Sequence, residues 1–89
     1  MSPAAAKILN LIYDKCTHAQ SNTCSLAFYE LGDLVDTREG LRELLRAGYI
    51  ATLSPDITRI KKHGVGIVFD CEISAQGLAK VRSERELKG

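Results

Sequence analysis

Ile8, Leu11, Ile12 and Cys16 recur at spacings of three and four, the mark of one buried face on a helix. Ahead of them, Ser2-Pro3 suits an N-cap followed by proline at the first helical position, and Ala4, Ala5 and Ala6 are strong helix formers. The pattern predicts a helix over residues 3–18. Residues 17–25, THAQSNTCS, are polar and rich in turn formers, and read as a loop. Residues 26–35 admit two readings. Leu26, Ala27, Phe28 and Tyr29 suit a short strand, whereas Leu31, Leu34 and Val35 fit a helix. The periodicity favours a second helix over residues 27–35, weakened by Gly32.

Asp36 followed by Glu39 forms a D-x-x-E capping box, in which each side chain can satisfy a free backbone N–H. Leu41, Leu44 and Leu45 then make the inward stripe of a third helix, and Gly48 is placed to end it. From Tyr49 the period shortens to two. Residues 49–53 read as a strand and Ser54-Pro55-Asp56 as a turn, with residues 57–61 and 67–73 as paired strands around Lys62-His63-Gly64-Val65-Gly66. In the last of these, Ile67, Phe69, Cys71 and Ile73 share one side, and Val68, Asp70 and Glu72 the other, which implies one covered face and one wet face. Ser74 is placed to cap a final helix, with Leu78 and Val81 facing inward and Leu87 a further inward candidate.

A chain of 89 residues is expected to make one small domain, burying roughly 60–65% of its unfolded surface, so that stability depends on tight packing or on dimerisation. Its 45% hydrophobic content excludes a disordered tail. No apolar run approaches the roughly 20 residues of a membrane span, and no signal segment opens the chain, so a cytoplasmic protein is expected. Cys16, Cys24 and Cys71 are odd in number and irregularly spaced, which argues for reduced thiols buried as small hydrophobes rather than a disulfide framework.

Net charge is only +1, but its distribution is uneven. Residues 1–36 sum to −2, residues 37–63 to +3, and the remainder balances. In the basic third, Arg38, Arg42 and Arg46 lie four apart, each rotated about 40° from the last along one flank of a helix. Guanidinium groups so arranged fit phosphate oxygens or guanine edges, or an acidic protein surface. Equally, Glu39–Arg42 and Glu43–Arg46 are neighbours three apart on a solvated face. Arg59, Lys61, Lys62 and His63 cluster beside Gly64 and Gly66, where a backbone could approach a phosphate closely; lysines on edge strands also deter aggregation. Gly40 within a helix costs about 1 kcal/mol relative to Ala, which points to a neighbouring helix packed closely against it or, as the second reading, to a DNA backbone admitted there.

Other chemistry has little footing. No C-x₂-C or H-x₃-H pair accompanies the cysteines and histidines, so no metal site is expected, although Cys16 and Cys24 flank one segment and could pair on oxidation. Cys16 and His18 have nothing to orient them as nucleophile and base, and Gly64-x-Gly66 matches no nucleotide-binding pattern. Neither catalysis nor a cofactor is expected.

Two segments, LRELLRAGYI (residues 41–50) and ISAQGLAKV (residues 73–81), resemble parts of the winged helix-turn-helix superfamily. The first is similar to the leucine-rich end of the third helix entering the first wing strand. The second is similar to the start of the helix that often follows the wing. The resemblance implies an α+β fold, a three-helix core with a small antiparallel β-wing and a C-terminal helix. It also implies double-stranded DNA as partner, with the third helix in the major groove and the wing on the backbone. Carried onto this chain, the reading face is Thr37, Arg38, Arg42 and Arg46, and the wing tip is Arg59, Lys61, Lys62 and His63. A small regulator of prokaryotic or mobile-element type, binding a two-fold site as a homodimer through its first and last helices, is the expectation. Glu39, Glu43 and the near-zero net charge depart from that pattern. They suit the alternative, a winged-helix module or phage-type inhibitor that docks on protein.

Overall fold

Ser2 starts the first helix as its sequence suggests: its Oγ accepts from the Ala5 N–H at 3.2 Å, with Pro3 following at the first turn. The computed structural model describes residues 1–27, 34–54 and 68–88. Among these the order is α1 (Pro3–Ala19), β1 (Thr23–Ala27), α2 (Leu34–Ala47), β2 (Ile50–Ser54), β3 (Val68–Ile73) and α3 (Ala75–Lys88), an α+β arrangement. None of these helices is long and apolar enough to cross a membrane.

The strands form one antiparallel sheet with β3 in the centre, in the order β1-β3-β2. β1 registers Cys24 on Cys71 and Leu26 on Phe69; β2 registers Ile50 on Ile73 and Leu53 on Cys71, with a bulge between Ile50 and Thr52. The alternation expected for β3 holds where its side chains are described. Cys71 and Ile73 are buried while Asp70 and Glu72 are exposed. The buried face joins Ala5, Ile8, Leu9, Ile12 and Cys16 of α1, Leu41 and Leu44 of α2, and Val81 of α3 in one core.

Two turns set the path between layers. Helix α2 ends as predicted at Gly48, which adopts φ 80°; the Gly48 N–H donates to Leu45 O and the Tyr49 N–H to Leu44 O, the paired bonds of a Schellman cap. Helix α1 ends in the same way at Gln20 (φ 57°), with Ser21 N–H donating to Cys16 O. Ser74 then ties α3 to the α2–β2 turn. Its N–H donates to Tyr49 O at 3.0 Å, its Oγ donates to Gly48 O, and the same Oγ accepts from Gly77 N–H.

Several expectations need correction. The polar stretch is not a loop through residue 25: α1 runs to Ala19 and β1 begins at Thr23, because the left-handed exit at Gln20 reverses the chain in three residues and β3 then supplies partners for the backbone. Ala27 belongs to β1 rather than to a helix, and Leu34 and Val35 to α2; residues 28–33 of the expected second helix lie outside the described residues. Asp36 lies within the first turn of α2 rather than before it, where its carboxylate still complements the helix dipole. The strand expected over residues 57–61 lies outside the described residues, and β3 pairs with residues 50–54 on that side. Leu87 is 87% exposed. Arg85, four residues beyond Val81, is the next α3 side chain along that flank and, though exposed, lies over α1, where it meets Asn10, Tyr13 and Asp14.

Candidate nucleic-acid interface

Helix α2 is divided sharply between two faces. Thr37, Gly40, Leu41 and Leu44 are buried, whereas Asp36, Glu39, Arg42, Arg46 and Ala47 are exposed. Gly40 lets α1 lie directly on α2: a Cβ there would stand 2.8 Å from Ile8 Cδ1 and 3.2 Å from Ala5 N. Close helix packing is thus the reason for this glycine, as its sequence position suggested. The contact also brings the start of α1 beside the outer flank of α2, where the Ser2 N–H donates to Glu43 Oε2 at 2.9 Å.

Ser2, Glu39, Arg42, Glu43 and Arg46 line a shallow depression of about 260 Å³. Hydrogen bonding from Ser2, with Arg46 close by, holds the Glu43 carboxyl below its ordinary value. Glu43 therefore stays charged, and it is drawn toward α1 rather than across the arginines. The depression carries two guanidinium groups and two carboxylates, so it can meet an anion only through the directional N–H groups of the arginines, not through a bulk positive field.

The predicted site residues separate as follows. Arg42 and Arg46 share the exposed face of α2. Arg38 is half-buried, with its Nε shut away from solvent. Thr37 is a correction: at 0% exposure it cannot touch a partner, and its Oγ1 has no hydrogen-bond partner among the described residues. The reason lies in the periodicity, since Thr37 is four residues before Leu41 and so falls on the same inward stripe. Arg59, Lys61, Lys62 and His63 lie outside the described residues.

Sequence reasoning missed a second grouping. Cys24 of β1 and Cys71 of β3 lie with sulfurs 3.8 Å apart, Cys24 Sγ lies 3.9 Å from Ile12 O of α1, and the Cys16 thiol neighbours Cys24. All three are free thiols. Burial, with Cys24 adjacent, pushes the Cys16 thiol up to about 12; hydrogen bonding with Cys71, followed by burial, drives Cys24 upward too. The available signal was the inward phase of Cys71 in β3, combined with Cys24 and Leu26 two apart, had residues 23–27 been read as a strand. Cys24 also lines an open cleft of about 510 Å³ with Asp14, Lys15, His18, Ala19 and Ser25. Among the described residues, no three His, Cys, Asp or Glu side chains are grouped as a metal ion would require. Comparison with protein-family models, curated proteins and solved structures finds no match to this chain.

Proposed function

We propose that this chain is a winged-helix regulator of the helix-turn-helix type that binds duplex DNA, with α2 in the major groove and residues 59–63 on the phosphate backbone. The reading is supported by the order of elements and by the antiparallel β1-β3-β2 sheet, in which α2 passes through Gly48 directly into a sheet-edge strand. The observation that carries it is the exposed pair Arg42 and Arg46, presented by a helix whose opposite face is fixed in the core. Arg42 and Arg46 reach guanine edges or phosphates, Arg38 supports the same flank, and Arg59, Lys61, Lys62 and His63 neutralise backbone charge. A lone domain of this size gives limited affinity. The working unit is a cytoplasmic homodimer contacting through α1 and α3, where exposed Leu87 offers an apolar side chain for a second copy to cover.

Fluorescence anisotropy with random-sequence duplex at low salt tests this directly. Binding should weaken with salt, and R42A and R46A should each flatten the log–log slope by about 1 if the arginine meets a phosphate. A loss that depends on duplex sequence would instead indicate base contact. Absence of binding to any duplex at low salt rules the proposal out. A protein-docking module is the second reading, favoured by Glu39 and Glu43 lining the same depression as the two arginines. Such a mixed surface matches a protein of complementary pattern better than a uniform polyanion. Light scattering beside the titration measures the dimer.

A further inference from the structure

We propose that Cys24 and Cys71 form a reversible thiol–disulfide site, entered through Cys24 from the α1–β1 cleft. Three observations converge on this pair. The two residues are direct partners in the β1–β3 register, so their side chains leave the sheet on the same face, and their sulfurs are already 3.8 Å apart. The Ile73 N–H donates to Asn22 O, which makes Asn22 and Ile73 a hydrogen-bonded pair, and two residues along each strand Cys24 and Cys71 are another. Such pairs hold their Cα atoms about 5.5 Å apart, inside the range of roughly 4.4–6.8 Å that a disulfide spans. Finally, access is unequal. Cys16 and Cys71 are 1% and 2% exposed, whereas Cys24 is half-buried and lines two adjoining surface depressions.

The oxidant class that suits this entry is a small soluble disulfide. The Cys24 thiolate attacks one sulfur of the reagent, whose S–S bond breaks and releases one thiol. The Cys71 thiol then loses its proton and attacks the Cys24 sulfur, displacing the second thiol. One external disulfide is reduced to two thiols while two protein thiols become one cystine. The product joins β1 covalently to the central strand and closes a loop of chain containing α2 and β2.

Protonation governs the rate. Around Cys24 stand Asp14, Lys15, Cys16 and His18 from α1, and Asp70 and Cys71 from β3. Its thiol is held above its ordinary value by Cys71 and burial, against smaller opposing effects from Cys16 and Lys15, so oxidation should be slow at neutral pH and quicken as pH rises.

The test incubates the reduced, folded chain with oxidised glutathione, blocks remaining thiols by alkylation, and maps the linkage by non-reducing peptide mass spectrometry. The expected result is loss of two hydrogens in mass, a Cys24–Cys71 cross-link with Cys16 alkylated, and full reversal by dithiothreitol. C71S should instead retain one glutathione on Cys24 and form no internal bond. Should C71S not fold, the wild-type map decides alone. Three alkylatable thiols after oxidation, or a Cys16–Cys24 bond as the main product, would overturn the proposal. No nucleic acid enters the experiment, so its outcome is separate from that of the DNA reading.

Discussion

Replacing Gly77 by alanine sets two effects of opposite sign against each other. Helix propensity alone favours the alanine by about 1 kcal/mol, because glycine loses more backbone entropy on ordering. Packing opposes it. A Cβ on Gly77 would collide with Tyr49 O and stand 3.0 Å from Tyr49 C and 2.8 Å from Ile73 Cγ1. Non-bonded carbon contacts settle at about 3.5–4.0 Å, so α3 must withdraw from the α2–β2 turn by on the order of 1 Å. The obstacle is mainly backbone, which has no rotamer to yield.

That withdrawal strains the bonds from Ser74 to Tyr49 O and Gly48 O, each contributing about 1 kcal/mol. It also partly uncovers Val81, at 0% exposure the deepest side chain of α3, whose full burial is worth about 1.5–3 kcal/mol. Setting a loss of about 3–4 kcal/mol against the propensity gain leaves G77A destabilised by about 2–3 kcal/mol. Urea unfolding followed by circular dichroism should show the midpoint falling with an unchanged slope. Gly40 supplies a milder comparison, since its Cβ would meet the end of the Ile8 side chain at 2.8 Å and backbone no nearer than 3.2 Å. G40A should therefore lie within about 1 kcal/mol of wild type. A G77A variant as stable as wild type, or more so, would show that α3 is not held at the Tyr49 turn.

Other variants test neighbouring claims. S74A removes a cap and both side-chain bonds of Ser74, and should cost about 1–2 kcal/mol in urea unfolding; a neutral result would detach α3 from the turn. R85A breaks exposed contacts to Asn10, Asp14 and the Tyr13 ring, and should lower stability by less than about 1 kcal/mol, with part of the effect screened by salt. For Glu43 the folded-state value is depressed, so its contribution is present above the ordinary carboxylate range and lost as pH falls through the depressed value. E43Q keeps an acceptor for Ser2 but not the charge, so its stability gap from wild type should close on acidification; a gap independent of pH would exclude the charged contact.

The elements that could be read from sequence are those whose signals are local. Ser2-Pro3, the apolar stripe of α1 and Gly48 each carry their reason within a few residues, and each is found where expected, except that in α1 Leu9 is fully buried and Leu11 only partly so. β1 is different. Thr23–Ala27 contains one β-branched residue and follows turn formers, and its strand character comes from β3, which lies more than forty residues away in the chain. No window-sized pattern contains that partner. Leu87 was misplaced for a simpler reason: an inward stripe was extended by residue type, whereas the helical period puts Arg85, not Leu87, after Val81.

The same period narrows the candidate interface. Thr37 lies on the stripe of Leu41 and Leu44, and Arg38 on the border beside Leu45, so the first turns of α2 turn two of four expected contacts toward the protein. The charged side chains that α2 offers outward are Asp36, Glu39, Arg42 and Arg46. Two arginines flanked by a carboxylate cannot supply the affinity of a DNA reader by charge alone, because each phosphate neutralised accounts for only about one unit of salt slope. A DNA-binding role therefore places most of the electrostatic work on Arg59, Lys61, Lys62 and His63, and leaves α2 to discriminate between sequences. On that division of labour, charge reversal within residues 59–63 should weaken binding to every duplex alike. Changes at Arg42 should alter which duplex is preferred. If both sets acted identically, α2 would have no claim to be the reading helix.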